Sequence, residues 1–445
     1  MSLQGIYMAG RSLLAQQRTL EVTGQNVTNA STPGYSRQIA LLRSVAPSNG
    51  AMSGGVGSVG GGVDATQVVR AHAAWLDRAA DGLRAETGGA GIAHQTLGQV
   101  EQALGEPGES GLQATLNRFF DAFQAVADKP GDATLRRTAV TAAEGVASRF
   151  SQALSDVESI RKTTLDGASK NVAQVNALAK NIADLSHAIG NSQAAGLPAS
   201  ELLDQRDAQL EALTKLTGAA VSGRESGELV VSLNGATLVQ GDRAETLKLA
   251  SDGALSLENG TPVAISGGEL GGRLTLAGSA LSELAGKLQA SRDNLVQKAN
   301  AIHATGADRT GQTGQPLFTV GAGGAPTVSA AIKANPDLLA MGDGTAASGT
   351  TARALSALRD DPSILPSYQT LVGDLGSAVT ESVRRQDAVG ASLQQIQDMQ
   401  ASESGVNIDE ELANMVAQQH VYAASARLLS TYDQMLETLI TRTGV

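Results

Sequence analysis

The chain has 445 residues, no Cys, 2% aromatic residues, one Trp (Trp75) and a formal net charge of −11. This excludes disulfides and Cys-ligated metals, and the absence of any basic run argues against nucleic-acid binding. No apolar run is long enough to span a membrane, and MSLQGIYMAGRSLL lacks a basic region ahead of an apolar stretch, so neither membrane insertion nor a cleaved signal peptide is expected.

A first helix is predicted from Leu3 to Val27. Ile6, Leu13, Leu20 and Val27 recur every seven residues. The companion column (Leu3, Gly10, Gln17, Gly24) is weak, and each helix glycine costs roughly 1 kcal/mol against Ala. Such a helix needs partners to stay ordered. It ends in NVTNASTPGYSRQ, where Pro33–Gly34 predicts a turn and Tyr35 and Arg37 are expected to project beyond it. Residues 39–70 are Gly- and Ser-rich with β-like pieces such as QIALLRSV.

From about residue 70 to 190 the pattern is helical, with Ala168, Val172, Val175, Ala179, Ile182 and Ile189 on one face. Pro198 opens a further helix that Gly218 closes. Residues 219–278 change to strands (ELVVSLNGATLVQG, ALSLENGTPVAIS, GRLTL), with hairpin pairs Asn234–Gly235, Asp252–Gly253 and Asn259–Gly260. Helix resumes at Leu281, Leu284, Leu288, Leu295 and Ile302. An irregular segment near 304–350 precedes helical spacing at Tyr368, Val372, Leu375 and Val379, then Val389, Leu393 and Ile396. In the last helix Ile408, Met415, Tyr422, Leu429 and Leu436 are seven apart, beside a column of Leu412, Gln419, Ala426, Asp433 and Ile440. Asn407 is placed to cap it, and Asp409, Glu410 and Glu411 suit its first turn.

The two terminal helices, each about 35–40 Å long, are expected to pair. The fold class is thus mainly α with a smaller β module (α+β). It is elongated, with a terminal coiled coil, a long helix bundle and a β-rich outer domain formed by a mid-chain excursion, placed at the pole opposite the ends. The expected units are 1–60 with 400–445 (terminal coiled coil), 61–218 with 279–399 (helical bundle) and 219–278 (β-rich).

No catalytic, cofactor or metal site is legible. His72, His94, His187, His303 and His420 share no metal-ligand spacing. GVGSVG (55–60) matches G-x-G-x-x-G without a preceding strand, and reads as a loop. ADRTGQTGQPLF has one acid, Asp308, and reads as a turn rather than a calcium loop. Asn26–Val27–Thr28 and Asn29–Ala30–Ser31 match the glycosylation pattern but lack a secretory signal. In LLDQRD, Asp204, Arg206 and Asp207 read as a solvated helix face with local ion pairs.

NVTNASTPGYSRQ resembles the N-terminal motif of the flagellar axial proteins (rod, hook and hook-associated), and SGVNIDEELANMVAQQHVYAASARLLSTYDQMLETLI (404–440) resembles their C-terminal segment. The interior stretches GGGVDATQVVRAHAAWLDRA, LNRFFDAFQAVADKPGDATLRRTAV, LLDQRD, GGELGGRL, IHATGADRTGQTGQPLF and ARALSALRD resemble the hook-associated branch, so the likeness extends over nearly the whole chain. The best-known members are longer. The part absent here would follow Phe318, and AWLDRAADGLRAE matches only loosely a segment that is usually more aromatic.

The resemblance implies an extracellular structural protein at the hook–filament junction, exported unfolded by the flagellar type III system. The implied partners are further copies of itself in a ring, hook protein FlgE below, the second junction protein FlgL above, and the export chaperone FlgN. Candidate assembly residues are Ile6, Leu13, Leu20, Val27, Asn26, Asn29, Pro33, Gly34, Tyr35 and Arg37 near the start. Near the end they are Ile408, Leu412, Met415, Tyr422, Leu429, Leu436 and Ile440. Another axial role (hook or rod), a cell-wall hydrolase with a carboxylate pair, and a secreted coiled-coil protein are the alternatives.

Overall fold

The computed structural model describes residues 3–46, 60–321, 324–343 and 348–443. Most of the GVGSVG match (55–59) lies outside the described residues. The N-terminal pattern forms one helix, α1 (Leu3–Asn29), followed by an antiparallel hairpin of β1 (Gln38–Ser44) and β2 (Val63–Arg70). Four helices follow: α2 (Ala74–Leu104), α3 (Leu112–Asp128), α4 (Ala133–Ala194) and α5 (Ser200–Thr217). Helix α4 has 62 residues and is therefore about 93 Å long. Asp132 caps its start by accepting from the Thr134 and Leu135 amides. The apolar rhythm read from Ala168 to Ile189 is its buried stripe, and α5 ends at Gly218 in the left-handed conformation.

The β module consists of two antiparallel sheets. The first runs through β3 (Ala220–Ser222), β4 (Val230–Leu233), β5 (Ala236–Gln240) and β6 (Arg243–Ala244). The second runs through β7 (Leu247–Leu249), β8 (Leu255–Leu257) and β9 (Pro262–Val263). All three predicted hairpin pairs sit at strand reversals. At the tightest of them Asn234 and Gly235 both have positive φ (47° and 92°), as a two-residue primed turn requires.

GRLTL is not a strand. It belongs to α6 (Gly268–Thr275), which passes through a π-helical turn at 276–280 into α7 (Leu281–Thr305). The cause is tertiary. Gly272 of α6 meets the backbone of Gly89 in α2 so closely that an added Cβ would lie 3.3 Å from it, and Leu270 is fully buried. A helix fits this gap between helices, whereas a strand would leave its backbone groups unpaired.

The chain continues through β10 (Phe318–Val320), β11 (Pro326–Val328), α8 (Ala330–Ala334) and α9 (Thr350–Ser356) to α10 (Leu365–Ser404) and α11 (Ile408–Thr443). Asn407 caps α11, its side chain accepting from the Asp409 and Glu410 amides.

Two large apolar clusters organise the body. One gathers Phe119, Phe120 and Phe123 of α3 with the first half of α4, α7, Phe318, Leu355 and Tyr368. The other packs α5, α6 and both sheets against the second half of α4. The β module therefore does not occupy the pole opposite the chain ends. Its 223–228 turn reaches back to the terminal hairpin, Glu225 accepting from Arg70 at 2.6 Å. The α3 cluster holds the remote end, because α2 begins beside α10's last turns (Gln400 to Asp77, 2.6 Å) and ends in that cluster at Leu104. A helix as long as α4 returns the chain to its start before the strands begin, and periodicity alone does not reveal this.

Candidate assembly interface

Thr32 to Tyr35 form a β-turn closed by the Tyr35 amide donating to the Thr32 carbonyl at 3.2 Å, with Gly34 at φ +78°. Pro at the second position and a positive-φ Gly at the third define a type II turn. The turn folds the motif back on its own helix. Asn26, 2% exposed, is the hub. Its Nδ2 donates to the Gln38 carbonyl (3.0 Å) and to Glu411 Oε2 (3.1 Å), and its Oδ1 accepts from the Tyr35 hydroxyl and the Gln38 amide (both 2.9 Å). Tyr35 thus turns inward instead of projecting. Burial, then the field of Asp204, Glu201 and Glu411, pushes its phenol up to about 12. Arg37 is half-buried, and its backbone amide donates to the Ser404 carbonyl at the end of α10 (2.8 Å). Asn29 back-bonds to the Gln25 carbonyl, while Pro33 and Gly34 remain exposed. A buried Asn26 is not a glycosylation acceptor in this fold.

Helices α1 and α11 pair antiparallel. Asn26 lies against Glu411, Thr23 against Gln418 (3.2 Å), and Gly5 against the Tyr432 ring. The covered face of α11 steps through Glu411, Met415, Gln418, Ser425, Leu429, Tyr432 and Leu436. The column containing Ile408, Met415, Tyr422, Leu429 and Leu436 is therefore brought toward α1, although Ile408 and Tyr422 stay exposed. Of the second column only Ala426 is half-covered: Leu412 is 45% exposed and Ile440 70%. On α1 the fully buried residues are Ala9, Ala15, Val22, Thr23 and Asn26, whereas Ile6, Leu13, Leu20 and Val27 are half-covered. The buried positions of α1 are thus mostly small or polar side chains, and its larger apolar side chains are only half-covered. Val416, Val421, Leu428 and Met435 on α11, and Tyr7 and Leu14 on α1, are also exposed.

LLDQRD departs furthest from the sequence reading. It is no solvated face. Arg206 is fully buried and donates to Ser186 Oγ (3.0 Å), the Ser226 carbonyl (2.8 Å) and the Arg224 carbonyl. Burial lowers its pKa to about 10. Asp204 and Asp207 grip Arg70 of β2 at 2.7 and 2.9 Å. Burial opposes the Arg70 charge, but Asp207 and Glu225 outweigh it and raise its pKa. Asp204 also accepts from the Ser36 amide (3.3 Å), and Gln25 donates to Glu201 of α5. Arg224 bonds Asp81 and Asp207, and Arg84 bonds Glu211 at 2.7 Å. The joint between the terminal segments and the body is thus a charged network. Its members Arg70, Asp81, Arg224, Glu225 and Glu411 were absent from the sequence-based candidates. The one local hint was the pair of acids three residues apart in LLDQRD.

His303 is structural: its Nε2 accepts from the Ala340 amide at 2.9 Å, and its Nδ1–H donates to the Gln315 carbonyl. Asp308 closes a turn, accepting from the Thr310 and Gln312 amides at 2.8 and 3.0 Å. Among the described residues no three His, Cys, Asp or Glu side chains form a metal-sized group, and no helix is long and apolar enough to cross a membrane.

Residues 97–318 match the profile of the flagellar hook-associated protein FlgK helical domain, and residues 400–442 that of the flagellar basal body rod FlgEFG protein C-terminal region. Flagellar hook-associated protein 1 of Bacillus subtilis is 26% identical over 510 aligned positions, covering 100% of this chain and 99% of that one. The Salmonella typhimurium protein of the same name is 28% identical over 326 positions, covering 69% of this chain and 58% of the relative. The solved structure of the flagellar hook junction protein FlgK from Burkholderia pseudomallei aligns with a TM-score of 0.49 at 23% identity, over 55% of this chain and 47% of that one. With a central domain matched by the FlgK profile, a C-terminal segment matched by the rod and hook profile, and full-length likeness to a hook-associated protein, the chain belongs to the FlgK family of flagellar hook-associated proteins, structural components of the bacterial flagellum.

Proposed function

We propose that the chain is a junction subunit joining hook to filament, and that it assembles axially through α1 and α11. The observation that carries this reading is the terminal pair itself. A two-helix unit that buries mostly small residues in its seam leaves Tyr7, Leu14, Leu412, Val416, Val421, Leu428, Met435 and Ile440 in water. Exposed apolar side chains gathered on one pair of helices mark an interaction site. Packing of copies side by side would cover it on more than one side, as a tube requires. α1 and α11 with the β1–β2 hairpin would form the inner tube, the helices α2–α5 and α6–α10 the wall, and residues 219–267 a β-rich domain. The partners are further copies in a ring, FlgE on the hook side and FlgL on the filament side, with FlgN holding the chain before type III export. The role is structural and non-catalytic.

The test is deletion of the gene, with electron microscopy of the cells and assay of flagellin in the medium. Hooks without filaments, with flagellin lost to the medium, are expected. Loss of the hooks as well would move the protein down the axis, and intact flagella would overturn the reading.

A further inference from the structure

Three turns of the β module place Asn or Asp before Gly, and at all three the Asn or Asp is exposed. Two of these turns are tied down. The Gly253 amide donates to the Ala250 carbonyl (3.0 Å), and Asp252 Oδ1 accepts from the Ala254 amide (2.9 Å). The Gly260 amide donates to the Leu257 carbonyl (2.9 Å), and Asn259 Oδ1 accepts from the Thr261 amide (2.9 Å). The third turn differs. Asn234 and Gly235 join β4 directly to β5, with Leu233 paired to Ala236. Both central residues have positive φ, the geometry of a primed turn, and both are exposed. Neither the Asn234 side chain nor the Gly235 amide has a hydrogen-bond partner among the described residues. A further Asn–Gly pair, Asn49–Gly50, lies outside the described residues.

We propose that Asn234 is a site of spontaneous deamidation, left free to react by the same fold that restrains Asn259. The Gly235 amide nitrogen loses its proton and attacks the Asn234 side-chain carbonyl carbon. A C–N bond forms, the bond from that carbon to Nδ2 breaks, and Nδ2 leaves as ammonia with the proton. The resulting succinimide takes up one water at either carbonyl and opens to aspartate or isoaspartate. Glycine favours the step because no Cβ shields the attacking nitrogen. An N–H engaged with a carbonyl holds its proton, and a side-chain carbonyl held on another amide does not swing to the nitrogen. Asn259–Gly260 carries both restraints and Asn234–Gly235 neither. Breaking two hydrogen bonds of ordinary net strength slows the tied pair by about tenfold or more, equivalent to about 1.4 kcal/mol. Either product adds a negative charge at the tip of the β4–β5 hairpin. Aspartate suits the primed turn. Isoaspartate instead adds a methylene to the backbone between two strands whose Val231, Leu233, Leu238 and Val239 are buried in the second apolar cluster, and so strains their register. The inference concerns the single chain and does not depend on the assembly reading.

The experiment holds the full chain at mildly alkaline pH, in buffer and in unfolding urea, and samples both over time. Peptide mass mapping follows the mass gain of deamidation at Asn234 and at Asn259, and an isoaspartyl methyltransferase labels the isoaspartate formed. In the folded chain Asn234 should convert about tenfold or more faster than Asn259. In urea the two rates should converge, since both are Asn–Gly pairs once the turns are gone. Equal rates in the folded chain, or a faster Asn259, overturn the assignment. So does a preference for Asn234 that persists in urea, because flanking residues and not the fold would then set it. Absence of conversion at Asn234 in buffer while the unfolded chain converts also overturns it.

Discussion

Truncating Asn26 to Ala tests whether the N-terminal motif clasps the chain ends. The side chain makes four hydrogen bonds, two of them to the Gln38 backbone and one to the buried carboxylate of Glu411. Gln38 and Glu411 are 4% and 5% exposed, so neither is solvated at once when its partner is lost. A stranded buried group costs about 1–3 kcal/mol, more when charged. Three such groups, the Gln38 amide and carbonyl and the Glu411 carboxylate, give a gross cost of about 3–9 kcal/mol, which water entering beside half-buried Tyr35 reduces to about 3 kcal/mol. The loss falls on the terminal unit, because Asn26's hydrogen-bond partners Gln38, Tyr35 and Glu411 all lie outside the apolar clusters. Native-state proteolysis reads it directly. Arg18 and Arg427 are exposed on α1 and α11, while Arg118 and Arg137 sit on α3 and α4. Cleavage of a transiently opened helix follows the open population, so about 3 kcal/mol accelerates trypsin at Arg18 and Arg427 about 150-fold. Cleavage in α3 and α4 should keep its rate. Acceleration of less than about threefold at Arg18 would refute the claim that Asn26 holds the two ends together.

His303 carries a pH prediction. Burial lowers its pKa, so the fold prefers neutral imidazole, whose Nε2 accepts from Ala340. That stability is complete above the unfolded pKa of about 6.5 and is lost as pH falls below it toward the folded value, at up to about 1.4 kcal/mol per unit. Urea midpoints at pH 7.5 and 5.5 should converge in His303→Gln relative to the unaltered chain, and parallel midpoints would contradict the assignment. Gly268 has φ +70°, and an added Cβ would sit 2.4 Å from the Leu216 carbonyl carbon. Gly268→Ala should therefore cost about 2–3 kcal/mol, and an unchanged melting temperature would show that α6 is not clamped on the end of α5. Leu436→Asp places a charge on the covered face of α11. It should block incorporation into flagella while circular dichroism of the body is retained, and normal incorporation would remove α11 from the assembly surface.

Local rules made much of this protein legible in advance. The heptads predicted both terminal helices, Gly218 and Asn407 their assigned caps, and the Asn–Gly and Asp–Gly pairs the strand reversals, because caps, turns and amphipathic faces depend on residues a few positions apart. On α11 the heptads also placed Met415, Leu429 and Leu436 on its half-covered face. Tertiary structure decided the rest. GRLTL became helix because Gly272 meets Gly89, a residue far away in the chain. Tyr35 turned inward because Asn26 and Glu411 together build its acceptor site. Leu412 and Ile440 stayed in water because they lie off the face of α11 that Glu411, Gln418 and Tyr432 turn toward α1. LLDQRD changed from a solvated face to the anchor of the joint, since a carboxylate's environment is set by whichever arginine the fold brings to it. Arg70 arrives from 134 residues away, and periodicity within a helix carries no trace of a partner at that distance.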